Sequence, residues 1–234
     1  MQLTVRDASG LLNIPEKTIY RLIKRNDIPH YRLKKSYFFN RAELLEWAIS
    51  HSVGVSPDLF KDRLPQAGLP DLAGALERGG VHTISGARAK RDVLCNIVAL
   101  VPDLNNAGRD AILQAILARE SLGSTAIGGG IAIPHVRNPI VLDIVAPLIL
   151  LCFLETPIDF GAKDKIPVST IFTVISPNGR IHLHLLARLS FALKNNAVRG
   201  ALIPSNNLQT ILSVVRVAEN DMAVAPGSFA GKKR

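Results

Sequence analysis

The stretch Gly128-Gly129-Gly130-Ile131-Ala132-Ile133-Pro134-His135 constrains this chain more than any other. Three consecutive glycines let the backbone turn tightly, take positive φ or approach another group closely. The apolar run after them demands burial, and Pro134 interrupts it. A strand should therefore leave a tight turn, run through a core and deliver His135 where core meets surface. Imidazole in such a place suits phosphate or proton chemistry, because its charge changes near neutral pH. Alone, the triplet is a weak motif. No Gly-Lys-Ser/Thr follows it, which excludes P-loop spacing, and it does not open a dinucleotide site. A lone buried histidine is more often a packed core residue than a reactive one, so local sequence leaves both readings of His135 open.

The chain of 234 residues suffices for one large domain or two smaller ones, and its 47% hydrophobic content supports a substantial core. Pro57, Pro65, Gly68 and Pro70 cluster between two patterned regions and mark a linker. The expected organisation is a small domain at 1–54, a linker at 55–71, a larger domain at 72–221 and a flexible basic tail at 222–234. Within the larger domain, helices are expected at 72–78, 87–100, 106–120, 181–194 and 208–217. Strands are expected at 81–83, around Ile131, and at 145–154 and 168–175. This alternation predicts an α/β fold with a buried mixed sheet flanked by helices.

Cys95 and Cys152 both lie in apolar surroundings, which reads as free thiols in a reducing compartment. The apolar region 140–154 is broken by Asp143 and Pro147, and the N-terminus lacks the pattern of a signal peptide. A cytoplasmic protein with no membrane partner, no metal and no cofactor is expected.

Charge is unevenly placed. Residues 1–55 carry nine basic and five acidic side chains, whereas residues 71–222 carry fourteen and twelve, and Lys232-Lys233-Arg234 ends the tail. The density at the start favours an anionic partner. Residues 4–12 suit a short helix, Asn13-Ile14-Pro15 a turn, and the residues after it a second helix. Ile19, Leu22 and Ile23 of that helix face inward, while Lys17, Thr18, Arg21, Lys24 and Arg25 face outward. Residues 30–39 alternate like a hairpin with Lys34-Lys35-Ser36 at its tip. Asn40 can cap a last helix that packs Leu44, Leu45 and Trp47 onto the core. A helix, a turn and a basic second helix form a helix-turn-helix pattern, against which stands a small interaction module with a solvated basic face.

The order of these elements resembles the winged helix-turn-helix modules of excisionase and MerR-type proteins, over about residues 2–51. The resemblance implies binding to double-stranded DNA. Lys17, Thr18 and Arg21 would face bases or phosphates, and Arg32, Lys34 and Lys35 would touch the backbone.

In the larger domain Arg119 closes a helix just before the glycine loop. Ser124 and Thr125 bring hydroxyls, and Gly128–Gly130 can present N–H groups. Pro177-Asn178-Gly179 launches a helix bearing His182 and His184, which point about 200° apart on a regular helix. Helix N-termini favour anions. The stretch from Arg119 to His135, together with Leu154-Glu155-Thr156-Pro157-Ile158-Asp159-Phe160 and His182-Leu183-His184-Leu185, resembles the IIA domains of the fructose/mannitol and nitrogen-regulatory branch of the bacterial phosphotransferase system. The likeness spans roughly residues 75–220.

The resemblance implies an α/β sandwich in which His135 accepts phosphate from the phosphocarrier HPr. His182 and Arg119 would stabilise the transferring group, with Ser124, Thr125, Gly130 and His184 in the phosphate environment. Gly129 and Val136 depart from the usual family residues, and no acidic residue near His135 in sequence offers to orient its ring. A DNA-binding module without a transporter segment points to a phosphorylation-responsive regulator of the nitrogen-regulatory type, reading two-fold sites as a homodimer. Two other readings stand beside it: a subunit passing phosphate to the IIB domain of a sugar permease, and a regulatory binding protein that is never phosphorylated.

Overall fold

The computed structural model describes residues 2–33, 36–51, 53, 69–136 and 146–224. The first module begins with a strand, β1 (Gln2–Thr4), that runs straight into helix α1 (Val5–Leu12). Thr4 caps that helix reciprocally: its hydroxyl accepts from the Asp7 amide, and the Asp7 carboxylate accepts from the Thr4 amide at 2.9 Å. Asn13 takes the left-handed conformation that ends α1, with φ of 52°. Helix α2 (Glu16–Lys24) follows, then the hairpin strands β2 (Tyr31–Leu33) and β3 (Ser36–Asn40), and helix α3 (Arg41–Ser50). The strand order β1-β3-β2 is antiparallel throughout. Asn40 caps α3 through its side-chain oxygen, as its position predicts. The small core comprises Leu3, Ala8, Leu12, Ile19, Ile23, Ile28, Phe39, Leu44 and Trp47 among others.

Leu44 and Trp47 of α3 join this small core, but Leu45 does not. It is fully buried, but against Ala187 of the larger domain, with Leu11, Ile49 and Leu183 beside it. Residues 44–48 of α3 are all buried. One covered face cannot bury five consecutive helical residues, so α3 is packed on two sides.

The larger domain is a five-stranded mixed sheet between helices. Helix α4 (Leu72–Gly79) leads into β4 (Val81–Ile84), and helices α5 (Lys90–Ala99) and α6 (Asn106–Ser121) follow. Strands β5 (Ala126–Gly128), β6 (Ile131–Ala132), β7 (Leu148–Ile158) and β8 (Val168–Ile175) complete the sheet in the order β4-β7-β8-β6-β5. Helices α7 (Gly179–Ala192), α8 (Asn196–Ala201) and α9 (Leu208–Val224) close the domain. The expected helices and strands are present. The sequence reading lacked β1, β5 and α8, which are three to six residues long and too short for periodicity to show. Helix α9 also continues to Val224, so the first residues assigned to a flexible tail are helical; residues 225–234 lie outside the described residues, as do 55–68 of the expected linker.

The β7–β8 pair is buried on both faces. Leu148, Leu150, Cys152 and Leu154 face α5 and α6, while Ile149, Leu151 and Phe153 face α4, α7 and α9. Burial pushes the Cys152 thiol up to about 12, so it packs as a small hydrophobe, whereas Cys95 is half-buried.

Helix α4 is held by a carboxylate from the far end of the chain. Glu219 accepts from the amides of Leu72 at 2.7 Å and Ala73 at 3.1 Å, and pairs with Arg188 at 2.6 Å. One buried charge thus joins α4, α7 and α9. Replacing Glu219 with Ala leaves two helix-terminal donors and the Arg188 guanidinium without their acceptor. A loss of about 3 kcal/mol is expected, measured as the shift in urea denaturation midpoint.

Candidate functional site

Each residue of the His135 site arrives on a separate element. The three glycines of the β5–β6 turn have φ values of 89°, 61° and 74°, which only glycine adopts freely in succession. The turn is pinned from two sides. The Gly129 amide donates to the Asp164 carboxylate at 2.7 Å, and the Gly130 carbonyl accepts from the amides of Ser169 and Thr170. After β6 the chain continues beside β8 through a single parallel bridge, His135 to Val174. His135 is 4% exposed. Its Nδ1 lies 2.8 Å from the Ile133 carbonyl. A carbonyl can only accept, so Nδ1 carries a proton, and in the neutral ring Nε2 holds the lone pair. The backbone, with no carboxylate nearby in sequence, thereby orients the ring.

The His182 ring lies 5.1 Å from that of His135, centroid to centroid, and is tilted by 39°. His182 sits one turn into α7, whose N-terminus is capped by the Asn178 side chain. It is 2% exposed, and its pKa falls to about 3, first because burial penalises the charged ring and second because of His135. His182 is therefore a neutral imidazole at physiological pH. Arg119 comes from the last turn of α6. It donates to the Gly123 carbonyl at 3.0 Å and turns its Nε toward the site.

The carboxylate that completes the arrangement comes from the other module. Glu46 of α3 reaches to 3.1 Å from Arg119 Nε, as a charge contact without the alignment of a hydrogen bond, and to 3.8 Å from His135 Nε2. Both Glu46 and Arg119 are nearly buried, with side chains 8% and 10% exposed. Sequence reasoning missed Glu46. The signal available was a glutamate inside Leu44-Leu45-Glu46-Trp47-Ala48, a run with no solvent face to give it. The crevice lined by Glu46, Arg119, Thr125, His135 and Leu186 holds only ≈ 10 Å³. Beside it, an open cleft of ≈ 350 Å³ runs between the modules past Trp47, His51, Arg119, Ser124 and Lys163.

The structure brings His135, His182 and Arg119 together. The other residues expected around a phosphate are placed differently. Thr125 reaches the crevice, but its amide and hydroxyl both donate to Glu120, which also binds Lys90 at 2.9 Å. The Ser124 hydroxyl donates to the Phe160 carbonyl and lies in the outer cleft. Gly130 does not line the crevice, and its carbonyl is spent on β8. The His184 ring contacts the Pro70 carbonyl at 3.1 Å, away from His182, as two positions 200° apart on a helix require. Ser124 and Thr125 thus spend their hydroxyl protons within the loop, and His184 meets the chain ahead of α4.

On the first module, Lys17, Arg21, Lys24 and Tyr20 are exposed along one side of α2, with Thr18 half-buried among them. Arg32 is exposed on β2 and lies over the Tyr37 ring at 5.8 Å. Lys34 and Lys35 lie outside the described residues.

A small three-stranded helix-turn-helix module joined to an α/β domain with a paired histidine site defines the class of protein. The family model described as "Phosphoenolpyruvate-dependent sugar phosphotransferase system, EIIA 2" matches residues 76–217, more than half of the chain, and a helix-turn-helix family model matches residues 3–52. The chain belongs to the EIIA type 2 family of the phosphotransferase system and carries an N-terminal helix-turn-helix domain. It is similar to a nitrogen regulatory protein of Bradyrhizobium diazoefficiens, at 34% identity over 54% of this chain and 82% of the relative. A nitrogen regulatory protein of Pseudomonas aeruginosa is 33% identical over 56% of this chain and 86% of its own length. The crystal structure of the nitrogen regulatory protein IIA-Ntr from Neisseria meningitidis shares the fold, with a TM-score of 0.52 and 23% identity over 62% of this chain and 98% of that one. No helix among the described residues is long and apolar enough to cross a membrane.

Burial of His182 makes stability acid-sensitive. Unfolded, its imidazole binds a proton below about pH 6.5; folded, it does so only near pH 3. The unfolded state therefore binds more protons between those values, and stability falls as pH drops through that window. His182→Gln should retain about 3 kcal/mol more of its neutral-pH stability than the native protein at about pH 4. Thermal melts across pH check this.

Proposed function

We propose that this chain is a phosphohistidine-carrying regulator of the nitrogen-regulatory type, which accepts phosphate from an HPr-like phosphocarrier on His135 and acts on transcription through its N-terminal module. The observation that carries the reading is the His135 ring itself, with Nδ1 committed to the Ile133 carbonyl and Nε2 left as a nucleophile beside Arg119 and neutral His182. In the transfer, the Nε2 lone pair forms a new N–P bond as the phosphoryl group's N–P bond to the carrier breaks. The donor imidazole keeps the electron pair of that bond. Arg119 offers positive charge to the phosphoryl oxygens, and the surrounding apolar strands exclude water that would hydrolyse the product. The double likeness to nitrogen regulatory proteins and to a helix-turn-helix domain favours regulation over sugar uptake.

Incubation with HPr, its kinase enzyme and phosphoenolpyruvate should label the protein with acid-labile phosphate, and His135→Ala should abolish the label. Arg119→Ala should slow labelling by about 10²-fold, the usual cost of removing one charge-stabilising group. No label on any form of the chain would refute the reading. Onward transfer to a IIB domain would instead favour a role in sugar transport.

The exposed basic side of α2 supports duplex binding by that helix, with Arg32, Lys34 and Lys35 of the hairpin on the phosphates. Gel-shift affinity for duplex DNA should fall as salt rises. Arg21→Ala or Lys17→Ala should weaken binding and lower the salt slope by about 1 for each phosphate no longer neutralised. Affinity indifferent to salt would contradict a phosphate-based interface.

A further inference from the structure

The N-terminal module does more than sit next to the larger domain: it fills the space over His135. Helix α3 presses Leu45 and Ile49 against Leu183 and Ala187, on the helix that carries His182. Two lysines of the larger domain grip the end of α3. Lys163 donates to His51 Nε2 at 2.5 Å, and Lys194 donates to the Val53 carbonyl at 3.2 Å. His51 can accept there because its Nδ1–H donates to the Trp47 carbonyl at 2.8 Å. Between these contacts the Glu46 carboxylate enters the crevice and meets both Arg119 and His135.

We propose that α3 is an intramolecular plug of the phosphate-accepting site, in which the Glu46 carboxylate takes the place on Arg119 that a phosphoryl group on His135 Nε2 would take. The proposal rests on the reading of His135 as phosphate acceptor. Three observations carry it. A carboxylate and a phosphoryl group present the same thing to a guanidinium: anionic oxygens at hydrogen-bonding distance. The ≈ 10 Å³ left in the crevice would hold at most about one water, so three phosphoryl oxygens cannot enter while Glu46 stays. A carrier protein also needs direct access to Nε2, and α3 covers that approach. Docking and phosphorylation are therefore mutually exclusive. Phosphate on His135 would expel Glu46 by like charge and by volume, and so release the DNA-binding module from the larger domain. The surface that a phosphocarrier must use is the surface that the module occupies, so the two compete for it.

The test uses the full chain. Rates of labelling from HPr are compared for the native protein, Glu46→Gln and Leu45→Lys, with radii of gyration from X-ray scattering before and after labelling. Glu46→Gln keeps the size of the side chain and removes its charge. Leu45→Lys opens the packing against Ala187 while leaving the larger domain untouched. Both variants should label about tenfold faster, the factor imposed by a plug closed about nine-tenths of the time. The native protein should be compact before labelling and expanded after it, and Leu45→Lys should be expanded throughout. Equal labelling rates in all three proteins would overturn the plug and leave His135 as the acceptor. So would an expanded native protein, or a labelled one that stays compact. Absence of label from every protein, Leu45→Lys included, would overturn the acceptor reading and the plug with it.

Discussion

The antiparallel pairing of β7 with β8 is the constraint on which the rest of the larger domain depends. Both strands are apolar on both faces, so neither face can be left to solvent and helices must cover each. Covering one face recruits α5 and α6, and the last turn of α6 brings Arg119. Covering the other recruits α4, α7 and α9, and the start of α7 brings His182. The edge of β8 is then open to β6, whose extension ends at His135. The site is thus a by-product of satisfying one sheet: its three residues meet because the elements carrying them have no other place to bury their apolar sides.

The electrostatics of that meeting point follow from burial. Two imidazoles, a guanidinium and a carboxylate share a volume almost closed to water. In such surroundings charges act strongly on one another, and an unbalanced charge is costly. Arg119 therefore needs an anion beside it. Glu46 supplies one in the closed chain, and a phosphoryl group is the other candidate of the same charge sign. In the proposed plug, Arg119 would accept either anion but not both, which would make the contact between modules responsive to phosphate on His135. The basic side of α2 is exposed to solvent while this contact is closed.

Much of the architecture was legible in the chain. Caps and punctuation placed α3 and α7, through Asn40 and Asn178, and apolar periodicity placed the longer helices and strands. Elements of a few residues, such as β5, carried no periodic signal. They exist because neighbours pair with them. Position on a helix separated His182 from His184 in advance. The hydroxyls of Ser124 and Thr125 look like ligands for an anion in sequence, yet they satisfy Phe160 and Glu120, because a tightly turning loop has its own unpaired backbone groups to satisfy first.

The sequence by itself determined two modules, a basic helix-turn-helix and an α/β domain, and a buried histidine at the end of a glycine-led strand. Local pattern suffices for these, since caps, periods and turns act over a few residues. Only the tertiary structure decided which nitrogen of His135 keeps its lone pair, because that depends on the ring's angle to the Ile133 carbonyl. Only the tertiary structure decided that Glu46 is the acidic partner of the site. Among the described residues, none near His135 in the chain supplies a carboxylate there. The residue that does is placed by the packing of Leu45 on Ala187, a contact between modules that no local pattern encodes.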